Sequence, residues 1–183
     1  MKKRISIFVV LLLLTSCSRN DLDFDCLEYS YGGTFSTAFS IKFTQSDPLF
    51  LREHWNAIER SDGIKFPKAK TNYYAIMSRV QRNQLREILD KINFRKLNTA
   101  YFEDYSDGSS YQIIIKKEAL NKTVYVHSFS GVPKELDSLS SWIYNMKENI
   151  YLIESNKKLC FDGINRTLPP PPPSMAKAIH TME

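Results

Sequence analysis

The sequence predicts an α+β domain: a single antiparallel sheet of about four to five strands with two helices packed on one face. Three observations lead there. Runs of strand-like residues are followed by a helix-like stretch twice along the chain. Two stretches carry apolar stripes at helical spacing, Val80, Leu85, Ile88, Leu89 and Ile92 in the first and Leu136, Leu139, Ile143, Met146 and Ile150 in the second. Two segments, Tyr111 to Lys117 and Lys122 to Phe129, alternate in a way that suits strands. A chain of 183 residues, 43% apolar and 25% charged, is long enough for one domain and has ordinary globular composition.

In chain order, Phe35 to Phe43 is rich in Phe, Thr, Ser and Ile and reads as a strand. Asp47-Pro48 marks a turn, Leu49 to Trp55 a second strand, and Ser61-Asp62-Gly63 another turn. Asn72 to Met77 is short and aromatic and suits a further strand. Ser78 opens the first helix, with Gln81 at capping-box spacing. Arg79, Arg82 and Arg86 are expected on its solvated side, and Glu87 and Lys91 form an i,i+4 pair. Phe94, Leu97, Tyr101 and Phe102 are expected to fasten the following loop to the core. Asp107-Gly108 is a turn into the clearest hairpin, in which Tyr111, Ile113 and Ile115 share a face and Val124 and Val126 oppose them. Gly131-Val132-Pro133 breaks the last strand, and Pro133 suits the first turn of the second helix.

The N-terminus has a different character. Lys2-Lys3-Arg4 is a positive start, and Ile5 to Leu14 is apolar apart from Ser6. That run is too short to span a bilayer, which takes about 20 apolar residues, and it fits a secretory signal peptide. Removing residues 1–16 would take three cations from a net charge of +5, leaving no basic footprint for nucleic acid. Leu14-Thr15-Ser16-Cys17 resembles the lipobox of bacterial lipoproteins at all four positions. The resemblance implies cleavage before Cys17 and palmitate-type acyl chains on its sulfur and new amino group. Several chains make anchoring durable where one holds only marginally. Ser18, rather than Asp, follows the cysteine; by the same resemblance this favours the outer membrane, on its periplasmic face or at the cell surface.

The expected organisation is therefore a signal peptide at 1–16, an acidic tether at 17–27 carrying Asp21, Asp23 and Asp25, a globular domain at 28–163 and a Pro-rich tail at 164–183. Pro169 to Pro173 favours a solvated polyproline II run, which cannot be core. With Cys17 acylated, Cys26 and Cys160 remain as an even pair in an oxidising compartment. A bridge between them would close most of the chain into one loop, worth about 4–5 kcal/mol in the chain-entropy account. The alternative is two separate thiols.

From Gly63 to Trp142 the chain also resembles an uncharacterised domain family common in Gram-negative lipoproteins. Carrying that likeness are Leu89-Asp90-Lys91-Ile92-Asn93-Phe94, then Leu97 and Tyr101, the turn at Asp107, the hairpin, and Val132-Pro133-Lys134-Glu135-Leu136. The family implies no catalytic residues.

Chemistry is sparse. His54, His127 and His180 have no metal-ligand neighbours at short spacing. No nucleophile elbow, dinucleotide fingerprint or phosphate loop is present, and no cofactor or metal is expected. Glu103, Asp104 and Asp107 form an acidic cluster that could serve calcium or a glycosidase. Tyr73, Tyr74, Tyr101, Phe102, Tyr105 and Trp55 could line a sugar or peptide surface, though aromatics are also favoured in sheets. The expectation is a lipid-anchored, non-enzymatic module binding a protein or glycan partner. The rivals are a small envelope enzyme acting on glycan or peptide, and an inhibitor or immunity-type lipoprotein.

Overall fold

Eight short segments assemble into one sheet, the longer ones with alternating burial. The computed structural model describes residues 22–33, 36–54, 70–103, 108–127 and 131–163. Its elements are β1 (Cys26–Gly33), β2 (Ser36–Phe43), β3 (Leu49–His54), β4 (Lys70–Ala75), α1 (Arg79–Asp90), a 3-10 turn (Phe94–Lys96), β5 (Ala100–Phe102), β6 (Ser109–Lys117), β7 (Leu120–His127), α2 (Lys134–Asn149) and β8 (Ile153–Glu154).

The strands form one eight-stranded sheet in the order β5-β7-β6-β1-β2-β3-β4-β8. All pairings are antiparallel except β5 with β7, which is parallel. The fold is α+β, but the expectation of about four to five antiparallel strands is wrong. β1 alternates Leu27, Tyr29 and Tyr31 with Glu28 and Ser30 at period two and ends in Gly32 and Gly33, and the expected set of strands left it out. β5 and β8 hold three and two residues, too few to show any period. They are strands because tertiary docking makes them so. The mixed character comes entirely from β5, which returns beside β7 after the 3-10 turn.

The core lies on one face. Leu27, Tyr29, Phe39, Ile41, Leu51, Ile113, Val124 and Val126 point to it and join Leu85 of α1 and Leu136, Leu139, Ile143 and Met146 of α2 in one buried cluster. Leu22 and Phe24 belong to the same cluster, so the segment expected as tether is already packed from residue 22. The Ser78 hydroxyl accepts from the Gln81 amide, and the Gln81 side chain accepts from the Ser78 amide, closing the capping box that starts α1. Ile113 sits opposite Val124 and Tyr111 opposite Val126, as the hairpin pattern requires.

Two residues of α1 exchange their expected roles. Val80 is 64% exposed, while Arg82 is buried and ion-paired with Asp47. A helix turns about 100° per residue, so Arg82 falls one turn before Leu85 on the buried stripe and Val80 about 140° away. The Asp47 carboxylate beside the β2–β3 turn makes a buried guanidinium tolerable, and its other oxygen accepts from the Met77 amide.

Candidate functional site

The second face of the sheet is built from polar side chains. β1 contributes Glu28 and Ser30, β2 Ser40 and Lys42, β3 Arg52, β4 Asn72, and β6 Gln112. Register places them in rows. Gln112, Ser30, Ser40, Arg52 and Asn72 stand side by side across five adjacent strands, and Ile114, Glu28, Lys42, Phe50 and Tyr74 form the next, mixed row. Glu28, Ser30, Ser40 and Gln112 are buried. Buried polar groups in the middle of a sheet need partners.

The partner is the chain itself. After β8 pairs with the edge strand β4, residues 155–163 turn onto this second face and cross β4, β3, β2 and β1 in that order. The Ser155 amide donates to the Asn72 carbonyl at 2.8 Å. Asn72 Nδ2 donates to the Lys157 carbonyl at 2.8 Å, Arg52 Nη2 to the Leu159 carbonyl at 2.5 Å and Lys42 Nζ to the Cys160 carbonyl at 2.7 Å. The Gly163 amide then donates to Glu28 Oε1 at 2.7 Å. Glu28 Oε2 lies 3.3 Å from Lys42 Nζ, so the buried carboxylate has its countercharge. The Phe161 ring packs beneath Lys42 and Arg52, with 5.6 and 5.2 Å from cation to centroid. Five hydrogen bonds to this strap are made to its main chain, and one, from Lys116 Nζ, to the Asp162 carboxylate.

Gly163 is where the strap approaches most closely. A Cβ there would lie 2.9 Å from Ser30 Oγ, 3.0 Å from Gln112 Oε1 and 3.4 Å from Glu28 Oε1. Ser30 and Ser40 share a 2.7 Å hydroxyl bond, while Gln112 Oε1 is buried without a hydrogen-bond partner.

Cys26 lies on this face, and Cys160 lies on the strap that crosses it. Cys160 is exposed on the strap and Cys26 is half-buried at the start of β1; both are thiols here. Asp162 of the strap lies 3.4 Å from Lys116, which is the register partner of Cys26. Burial pushes the Cys26 thiol above its ordinary value, against the pull of Lys42, and Glu28 adds to the rise.

Other expected sites fare differently. Glu103 is exposed, and its amide donates to the His127 carbonyl at 3.2 Å. Asp104, Asp107, Tyr105, Trp55, Cys17, the apolar leader and the Pro-rich run with His180 lie outside the described residues. His54 is buried in β3, and His127 stacks on Phe102 at 5.4 Å near the β5 edge. Among the described residues no group of three or more His, Cys, Asp or Glu could hold a metal, and no helix is long and apolar enough to cross a membrane. A cleft of about 500 Å³ opens on the helix side between the end of α1, Leu22 to Phe24 and the β6–β7 turn. Its lining mixes Leu22, Ile92 and Ile115 with Arg86, Asp90 and Lys91, and Asp23 and Lys117 pair beside them. Sequence reasoning missed the strap face altogether.

Fold and face together define a single-sheet α+β domain whose polar side is covered by its own C-terminal strap. A family model described as a domain of unknown function (DUF6438) matches residues 60–147, which fits the likeness seen from Gly63 to Trp142. That span holds β4 to β7 and both helices; β1, β2, β3 and the strap lie outside it. No curated protein matches the chain.

Proposed function

We propose that this chain is a lipid-anchored envelope protein at the outer membrane whose folded domain is a non-enzymatic binding module. The anchor rests on Leu14-Thr15-Ser16-Cys17 behind a basic start and an apolar run. The binding role rests on one observation: a sheet face of polar side chains is spent on gripping a chain segment by its main chain. Sheet faces of small domains usually bury apolar residues or face water. One that grips a chain has the form of a recognition surface.

In an oxidising compartment Cys26 and Cys160 join as a disulfide. Two thiols lose two protons and two electrons to a disulfide-bearing oxidant, which leaves as a dithiol. The bridge would fix the strap to β1. Both parts are testable on the same preparation. Cys17→Ala should abolish acyl labelling and release the protein from membranes; continued labelling would sink the anchor. Alkylation and mass measurement of Cys17→Ala protein purified without reductant should count no thiols. Two thiols would sink the bridge and leave the anchor standing.

A further inference from the structure

Resting on the binding-module reading, we infer that the strap face is a groove for a glycine-containing peptide of a partner protein, and that residues 157–163 are its resident occupant. Main-chain recognition is the first support. Asn72, Arg52 and Lys42 donate to carbonyls and Glu28 accepts an amide, so the groove reads groups that every peptide carries. Any segment with the same backbone path satisfies them.

Glycine is the second support. Ser30 Oγ and Gln112 Oε1 crowd the place where a side chain would begin, with Glu28 Oε1 in ordinary contact beside them. Ser30, the nearest, is held by the Ser40 hydroxyl, so its crowding is not relieved cheaply. The groove therefore disfavours other residues at that register.

The third support is unused capacity. Gln112 Oε1 is buried, faces the glycine and accepts no hydrogen bond from the strap. A buried acceptor left open costs free energy, which an incoming chain with one more donor at this point would recover. The strap satisfies the groove incompletely, as an exchangeable occupant does. It also holds an advantage of proximity, since a tethered segment competes at an effective concentration of about millimolar. Partner binding must overcome that, and a Cys26–Cys160 bridge would forbid it. In the oxidising compartment proposed above, exchange therefore requires a dithiol reductant, which takes up the bridge as its own disulfide and returns Cys26 and Cys160 to thiols.

The test uses the full mature chain under reducing conditions. Gly163→Ala should release the strap, read as about a tenfold rise in Cys26 alkylation rate. A synthetic peptide of residues 155–165 should then bind that variant, shift the Gln112 side-chain amide resonances and slow Cys26 alkylation again. The same peptide with alanine at its glycine should bind at least about tenfold more weakly. Phe161→Ala loosens the strap from its own side and leaves every groove residue in place, and serves if Gly163→Ala fails to fold. Equal binding of the two peptides, or no binding to a chain whose Cys26 is shown to be open, would overturn the inference. So would dimerisation of the released variant in place of peptide binding, which would make a second copy the occupant. If cross-linked envelopes yield a partner that the glycine peptide does not displace, the groove falls while the binding-module reading stands.

Discussion

The two faces of this sheet solve the burial problem by opposite means. On the helix face, Tyr29, Phe39, Ile41 and Leu51 meet Leu85, Leu136, Leu139 and Ile143, and apolar area removed from water does the work. On the strap face, Glu28, Lys42, Arg52 and Asn72 meet carbonyls and amides, and hydrogen bonds do it. Apolar burial contributes much per residue and tolerates only well-matched shapes. A hydrogen bond exchanged with water contributes about 1 kcal/mol net, so a polar cover is the one that can be lifted. Stability therefore rests on the helix face, and the strap face is the one that the proposed recognition would use.

That assignment is broken most directly at the core. Leu136→Ala removes a fully buried side chain from the meeting point of α2 and the sheet. The expected loss is about 2–5 kcal/mol in denaturant-measured stability, with the whole domain unfolding as one unit. A loss under 1 kcal/mol would mean the helix face is loosely packed. Next in size is Glu28→Gln on the strap face, which keeps an acceptor for Gly163 and strips Lys42 of its countercharge. A cost of about 1–3 kcal/mol is expected. Its signature should be local, with the Gly163 amide exchanging faster and the helix amides unchanged. Uniform acceleration across both faces would erase the distinction.

How much of this could be read in advance follows the same division. Elements that bury apolar side chains announce themselves. Ser78 and Gln81 marked the start of α1, and Ile113 and Val124 found each other by alternation alone. Arg82 was misplaced because its charge was weighed ahead of its position one turn before Leu85. β1 was missed although Leu27 to Tyr31 alternates, because it starts at the tether boundary and ends in Gly32 and Gly33. The strap left only its end in the sequence, through the domain bound at 163 and the expected pairing of Cys160 with Cys26. A segment held mostly by its main chain asks little of its side chains beyond Phe161, Asp162 and Gly163, and three scattered residues are not a pattern. The family match ends at residue 147, before the strap begins, so likeness to other chains does not reach it either.

The smallest expected effect is the most discriminating, and it lies within the helix face. Tyr29 and Tyr111 stack at 5.7 Å, both buried, but only Tyr29 has a hydroxyl partner, Ser140 Oγ at 2.8 Å. The Tyr111 hydroxyl is buried without a hydrogen bond. Tyr29→Phe should therefore cost about 1 kcal/mol, and Tyr111→Phe about zero or a slight gain, because the ring stays and only an unmet polar group goes. Titration separates them further. Burial pushes both phenols above the ordinary tyrosine value, with the Ser140 bond opposing it at Tyr29 and the nearby Asp137 adding to it at Tyr111. A raised folded pKa gives stability that is whole below about pH 10 and lost as pH climbs from there, because the unfolded phenols ionise first. Each Phe variant should flatten that alkaline decline by removing its own phenol, Tyr111→Phe at no cost near neutrality. Should Tyr111→Phe lose as much as Tyr29→Phe at pH 7, the hydroxyl has a partner after all, and the helix face is less purely apolar than the contrast with the strap face requires.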